Sequence, residues 1–444
     1  MVKTSAPRHK GLPILGSLLE LYSDPQNFFQ QLHKDYGDVV RFNMVNFDSI
    51  AIFDPKLIGE VLVSKHHDYS KNRIFWDNVK EVFGNGLLTN EGESWKTQRK
   101  LASPSFRPKS VATYIDSMIS LSDLEVSSWI NGSRIDIHDK MMGLTANIIA
   151  KIIFNTTTGD KGQTLLEALK ELEHLILSRI KRPHPFIHKL PLPSNKRYQN
   201  LIDVIESEVM GFIDESKESD SEYPTLLSNL MRAKYEDGSS MSNKQLRDEI
   251  MTIFLAGHDT TAITLSSTFY LLSQHNEVER KMLREIDYVL NGEALTADKL
   301  DKLTYTKKVI KESMRLMPVV WAIGREAERD TQLGPYKIHK GTTVYICQYL
   351  MQRLDKYFES PKKFDPERWT DEFTANLPKY VYSPFGGGPR VCIGEHLSML
   401  EAIIILVTVY RKFKLVYEEK APPEYFAGAV LTPKRGMPMA VFRR

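Results

Sequence analysis

Between Ser242 and His275 the chain contains no proline, and its opening Ser242-Asn-Lys-Gln245 reads as a helix capping box. About 33 residues at ~1.5 Å each make a helix roughly 50 Å long. A rod of that length crosses a protein of 444 residues from side to side, so everything else has to be arranged around it. Its middle, Thr252-Ile-Phe-Leu-Ala-Gly-His-Asp-Thr-Thr-Ala-Ile-Thr264, is apolar around Gly257 and Asp259, which predicts burial on several sides. A carboxylate in such surroundings is costly unless it is paired or used.

Most of the remaining text is also helical in period. A second helix is expected from about Ala297 to Met317, stopped by Pro318, with Glu312 and Arg315 meeting at i,i+3. Leu397, Leu400, Ile404 and Val407 repeat at helical spacing, so another helix begins near Gly394. Strand-like alternation clusters in two places, about 36–60 and 331–350. The first holds Asp38 to Met44 and Ser49 to Phe53. In the second, Tyr336 to His339 and Thr342 to Ile346 flank Lys340-Gly341 and read as a hairpin. Length alone favours two domains. Strands far apart in sequence with helices between them favour instead a single mainly α domain over 1–444, carrying a small β-sheet region.

Charge and cysteine content exclude several classes. With 59 Lys+Arg against 56 Asp+Glu, the net charge of +3 argues against a nucleic-acid binder. The two cysteines, Cys347 and Cys392, make no disulfide framework and no multi-thiolate metal site, which fits a reducing compartment. The longest apolar run, from Ala402 to Tyr410, falls short of the roughly 20 residues a bilayer span needs. The N-terminus lacks the apolar segment of a signal peptide. The chain as given therefore reads as soluble and cytoplasmic, with a removed N-terminal membrane anchor as the open alternative, since its removal would leave the same sequence.

One of the two cysteines stands in an unusual loop, Phe385-Gly-Gly-Gly-Pro-Arg-Val-Cys-Ile-Gly394. The glycines allow a tight turn and close backbone approach. The turn delivers Cys392 just before a helix N-terminus, where the dipole and free N–H groups favour a thiolate. A phosphate-binding loop fails on spacing: Val391 stands where a dinucleotide fingerprint needs glycine, and no Lys-Ser/Thr follows. Two readings stay open on chemistry alone. One is an inert buried cysteine; the other is a lone thiolate on one axial position of a haem iron, with Arg390 reaching a propionate.

The pattern Phe385-x-x-Gly388-x-Arg390-x-Cys392-x-Gly394 resembles the haem-binding loop of the cytochrome P-450 family of haem-thiolate monooxygenases. The resemblance extends from Gly11-Leu-Pro-Ile-Leu-Gly16 to the helix after Cys392. It implies Cys392 as axial ligand and Phe385 and Gly394 as part of the haem loop. Glu312-x-x-Arg315 and the Arg368 of Pro366-Glu-Arg-Trp369 resemble the family's buried structural network. Ala256-Gly-His-Asp-Thr-Thr261 resembles its oxygen-activating turn. There Gly257 thins the helix, Thr260 bonds a carbonyl one turn back, and Asp259 and Thr260 deliver protons. His258 is expected to point away and pack. Trp95 with Arg99, and Arg325, resemble segments that bind haem propionates, so Arg99, Arg325 and Arg390 are expected to share two carboxylates. One departure is Ser398, where the family usually has alanine.

The resemblance implies a monooxygenase using haem b (iron protoporphyrin IX) and O2. Electrons would come ultimately from NAD(P)H through separate proteins, because no flavin or nicotinamide fingerprint appears. A ferredoxin or flavodoxin with its reductase, or a diflavin reductase, would serve; Lys96, Lys100, Arg107 and Lys109 could steer it, and the chain is expected to be a monomer. Phe75, Val79, Phe83, Ala256, Val319, Val320 and Leu431 fall in segments that face the haem in relatives, and their apolar character suggests a lipophilic substrate. The texture is that of soluble bacterial members resembling the membrane-bound class, which points to a fatty acid or a carotenoid/terpenoid-like molecule, with Arg73 able to hold a carboxylate. A peroxide-using hydroxylase, a non-oxygenating isomerase and a haem sensor or carrier are the rivals; the intact Asp259-Thr260 pair favours O2 chemistry. His184 and His188 have helical metal-ligand spacing, but Pro183 and Pro185 favour a loop. His66-His67 has no matching third ligand.

Overall fold

The computed structural model describes residues 5–71, 73–155, 190–218 and 225–444, with scattered positions between 164 and 175. The side chains of Arg73 and Phe75, and both His184 and His188, lie outside the described residues.

The long helix runs unbroken over Asn243–Gln274, 32 residues. Ser242 caps it by accepting the Gln245 N–H at 3.2 Å. Only half of the expected capping box forms. The Gln245 amide does not return to the cap but donates to Glu249 Oε1 at 2.8 Å and to the Asn85 carbonyl at 3.1 Å. This central helix packs chiefly on the helix Ile137–Phe154. At their contact a Cβ added to Gly257 would lie 3.1 Å from Ile149 Cδ1. The glycine therefore thins the helix on the side where this neighbour packs.

The helix expected over 297–317 is two pieces, Ala297–Leu300 and Thr304–Leu316. Glu285 explains the second start, because its carboxylate accepts the Tyr305 and Thr306 N–H groups at 2.6 and 2.8 Å. An acceptor supplied from outside lets a new helix begin where its own first amides would be orphaned. The cysteine helix, Glu395–Lys412, begins directly after Gly394 and is buried along most of its length.

Among the described residues, twelve short strands complete the fold. They are β1 (Val39–Met44), β2 (Phe47–Ile52), β3 (Tyr69–Lys71), β4 (Arg134–Asp136), β5 (Ile323–Ala327), β6 (Thr331–Leu333), β7 (Tyr336–Ile338), β8 (Thr343–Ile346), β9 (Phe413–Tyr417), β10 (Tyr425–Ala427), β11 (Leu431–Pro433) and β12 (Pro438–Arg443). Five form one sheet in the order β1-β2-β8-β5-β3. The hairpin expected from Tyr336 to Ile346 is not there. β7 pairs back onto β6, whereas β8 enters the five-stranded sheet, parallel to β2 and antiparallel to β5. Gly341, at φ +83°, makes the turn that separates them.

Apolar side chains gather in two clusters. One surrounds the central and cysteine helices, with Leu265, Phe269, Ile405 and Val407 fully buried. The other lies on the five-stranded sheet around Phe29, Phe42, Ile52 and Val344. The cysteine loop and strands β3 and β5 sit where these bodies meet.

Candidate active site

The loop around Cys392 is held by its glycines. Gly386 and Gly388 take φ +77° and +68°, and a Cβ on Gly388 would stand 1.9 Å from the Leu62 carbonyl oxygen. The loop thus lies directly on the backbone of residues 60–64, closer than any side chain permits. It closes on itself through the Cys392 N–H, which donates to the Phe385 carbonyl at 2.9 Å. Backbone N–H groups of Gly394 and Glu395 then face the sulfur.

Those donors do not make the bare thiol acidic. Burial pushes the Cys392 thiol above its ordinary value, outweighing both amides and the Arg99 guanidinium, and Glu395 adds to the rise. The amides do favour the thiolate, as expected of the helix terminus, but burial outweighs them. Cys392 as a residue nevertheless remains accessible to solvent. A metal cation bound to the sulfur would supply the positive charge that ionising it requires.

Beside the cysteine lies a cluster of cations. The helix Gly92–Ala102 carries Trp95 and Arg99 one turn apart, and the Arg390 guanidinium stacks 3.8 Å from the Trp95 ring centroid. Arg390 Nη1 donates to the Asn90 carbonyl at 2.8 Å, and Nη2 pairs with Glu91. On the sheet, Arg325 of β5 stands directly opposite Lys71 of β3. The Lys71 ammonium donates to the Leu88 carbonyl, and its backbone N–H to Glu91 Oε1 at 3.2 Å.

Each cation feels the crowding. Burial pulls Lys71 down to about 7, with Arg390 and Arg325 adding to the fall and Glu91 opposing it. Burial also draws Arg390 down to about 10, against the pull of Glu91 and helped by Arg325 and Arg99. Arg325 and Arg99 are lowered by burial as well. Partly buried positive charge is costly unless matched by anions. Here Lys71, Arg325 and Arg390 lie around the carboxylate of Glu91, with Arg99 beside Arg390 and Cys392, and the two propionates of a haem would redress that surplus. The donor set fits the group. Lys71 and Glu91 were not anticipated from the sequence; their role exists only across the β3–β5 pairing and the turn before Trp95.

The central helix packs against the cysteine helix and brings a second set of residues to the site. Although it is buried along most of its length, Ala256 is exposed and Leu255, Gly257 and Thr260 keep some accessible surface. Thr260 Oγ1 donates to the Ala256 carbonyl at 2.8 Å, as the sequence suggested, and the helix stays continuous through that bond. Asp259 is buried. His258 Nδ1 contacts the Phe254 carbonyl at 2.9 Å, and its own carbonyl accepts from Thr145 Oγ1 at 2.9 Å. Among the apolar candidates, Val319 and Leu431 are brought together by a 2.8 Å bond from the Leu431 N–H to the Val319 carbonyl, with Val320 partly buried alongside. Val79 and Phe83 are packed into the helical core cluster.

Glu312, Arg315 and Arg368 form one network. Arg315 meets Glu312 through Nε at 2.8 Å and Nη2 at 2.7 Å, and both side chains have no exposure. Arg368 Nε and Trp369 Nε1 donate to the same carboxylate at 2.9 and 3.0 Å, as does the Asp365 N–H at 3.0 Å. Remaining Arg315 protons go to the carbonyls of Gln352, Pro361 and Lys363.

The family model of cytochrome P-450 matches residues 7–439. The chain belongs to the cytochrome P-450 family. Cyclooctat-9-en-7-ol 5-monooxygenase of Streptomyces melanosporofaciens is 30% identical over 93% of this chain and 92% of its own length. Pentalenene oxygenase of Streptomyces avermitilis is 28% identical, over 92% and 91%. The chloroplastic LUTEIN DEFICIENT 5 protein of Arabidopsis thaliana is 29% identical, over 93% and 73%. In fold, the chain superposes on the crystal structure of the cytochrome P450DA heme domain with a TM-score of 0.89 over 99% of this chain and 98% of that one, at 24% identity. This cytochrome P-450 is a monooxygenase with the mainly α architecture expected from its sequence, and its family implies haem-thiolate chemistry with O2. Among the described residues of this P-450, no helix is long and apolar enough to cross a membrane. Nor does any group of three or more His, Cys, Asp or Glu among them suit a metal ion, so His66 and His67 gain no further ligand there.

Proposed function

We propose that the Cys392 thiolate would ligate the iron of haem b, and that Lys71, Arg99, Arg325 and Arg390 would receive its propionates. The observation that carries this reading is the surplus of partly buried cations gathered around Glu91 beside the desolvated thiol of Cys392. Bound there, the haem supplies O2 binding and the oxidising power to insert one oxygen atom into a C–H bond. Substrate C–H, O2, two electrons and two protons become C–OH and water.

The chain's own part is positioning and proton supply. Thr260 holds a proton at Oγ1, one turn from exposed Ala256, and a χ1 swing offers it to the space that helix face borders. Asp259, buried beside it, is the acid that restores that proton. Glu312, Arg315 and Arg368 fix the helix Thr304–Leu316 to the segment around Trp369, a role in folding and haem retention.

The relatives named for pentalenene and cyclooctat-9-en-7-ol favour a terpenoid over a fatty acid as substrate. Val319, Val320 and Leu431 would give it an apolar wall, with Val79 and Phe83 behind. We read the chain as one haem domain, a cytoplasmic monomer fed with NAD(P)H electrons by a ferredoxin, flavodoxin or diflavin reductase. Lys96 and Lys100 on the Arg99 helix would meet such an acidic partner after releasing Glu93 and Glu236, which they now hold at 2.5 and 3.0 Å.

The test is the absorption spectrum of the reduced protein with carbon monoxide, beside Cys392→Ala. A strongly red-shifted Soret band that the variant lacks is expected. A histidine-type band in both proteins would overturn the assignment. With a terpenoid substrate, Thr260→Ala should raise reductant use per product; unchanged coupling would remove Thr260 from proton supply.

A further inference from the structure

We propose that Asp248 and Glu249 are positioning residues for the cofactor cradle: they clamp the 84–91 loop to the central helix, and through it set where Asn90 and Glu91 hold Arg390. The inference rests on the reading of Arg390 as a propionate ligand.

Both carboxylates are buried in the helix, at 2% and 0% exposure. Neighbours on a helix point ~100° apart, so the two can straddle a chain lying across them. That chain is the 84–91 loop. The Asn85 N–H donates to Asp248 Oδ2 at 2.8 Å, and the Leu87 N–H to Glu249 Oε2 at 3.0 Å. The fit leaves no room for side chains in between. Gly84 takes φ +59°, and a Cβ there would lie 2.2 Å from the Asp248 carboxylate; one on Gly86 would lie 2.1 Å from Thr252 Oγ1.

Each carboxylate is itself held. Arg247 Nη1 donates to Asp248 Oδ1 at 3.0 Å, and Gln245 Nε2 to Glu249 Oε1 at 2.8 Å. A general packing role would not require Gln245 to leave its cap and grip both Glu249 and the Asn85 carbonyl.

The loop then transmits the clamp. Thr89 Oγ1 donates to the Gly84 carbonyl at 2.6 Å, and the Asn90 N–H to the Gly86 carbonyl at 2.9 Å, so its two ends move together. Asn90 and Glu91 immediately beyond engage Arg390, while Leu88 and Glu91 engage Lys71. The helix that carries Asp259 and Thr260 therefore also anchors the cradle, about two turns upstream of Ala256. One rigid element sets the register of both ends of the site.

The experiment uses the haem-loaded protein and the variants Glu249→Gln, Glu91→Gln and their combination. Two quantities are followed: the rate of haem transfer to a scavenging apo-globin, and hydrogen exchange at the Asn85 and Leu87 amides. Glu249→Gln should speed haem loss on the order of tenfold and deprotect Leu87. The double variant should lose haem no faster than the worse single one, because both act on one relay. Multiplied rates, or faster Leu87 exchange with unchanged haem loss, would overturn the proposal. If Glu249→Gln does not accumulate in folded form, Thr89→Val cuts the relay with both carboxylates in place and takes the same readouts. Failure of the underlying haem reading is separate, since it appears as a missing thiolate-type band in the unmutated protein.

Discussion

Thr261 on the central helix and Ser398 on the cysteine helix share a hydrogen bond of 3.1 Å between their hydroxyls. It joins the residue after Thr260 to a position six beyond Cys392, so the two helices of the site are pinned together at one point. Ser398→Ala should cost about 1 kcal/mol of unfolding free energy, Thr261→Val somewhat more, and the double variant less than their sum. Denaturant unfolding of all four proteins checks it; strict additivity would mean the contact carries no energy.

The Glu312 carboxylate accepts from Arg315, Arg368, Trp369 and the Asp365 backbone without any exposure to water. Replacing one partner of a buried pair leaves the other uncompensated, at about 3–5 kcal/mol. Glu312→Ala is expected to yield little folded protein. Arg368→Lys, which keeps the charge but loses the fork, should fold and show a lower unfolding midpoint. An unchanged midpoint would assign Arg368 no structural part.

Gly388→Ala should abolish haem loading more completely than Gly387→Ala. Both positions are crowded, but the obstacle at Gly388 is the Leu62 backbone oxygen at 1.9 Å with φ +68°, whereas at Gly387 it is the Tyr380 ring at 2.7 Å. A ring can swing aside; backbone cannot. The haem-to-protein absorbance ratio of the purified variants decides between them.

Lys71 gives the haem-free chain a distinct pH dependence. Its folded value is lowered to about 7 from an ordinary 10.5, so between those limits the unfolded chain binds the extra proton. Stability from this group therefore rises as pH climbs from about 7 to 10.5, and is lowest below 7. Lys71→Met should flatten that slope and raise the unfolding midpoint at about pH 6. Haem binding should flatten it too, by giving the ammonium its anion. Parallel pH profiles for wild type and variant would contradict the placement of Lys71 in the cradle.

The sequence made the cysteine loop and the Glu312 trio legible because each combines several constrained residue types at fixed spacing. It was weaker wherever the partner had to come from elsewhere. Alternation marked Tyr336 to Ile346 as strand, but period says nothing about partner, and β8 turned to β2 and β5. Periodicity likewise ran through 297–317, because the Glu285 carboxylate that starts the second piece lies on another helix. Gln245 read as a capping residue until Glu249 and Asn85 competed for it. Lys71 carried no signal at all, as a three-residue strand has no period to read.

Strand β3 is the outer strand of its sheet, and its last residue, Lys71, faces the like charge of Arg325. Glu91 offsets only part of that repulsion, so the edge is weakened until further anions arrive, and a weakened sheet edge invites pairing with other chains or cutting. The haem-free chain should therefore be cut sooner by an added protease at this edge than the haem-loaded one.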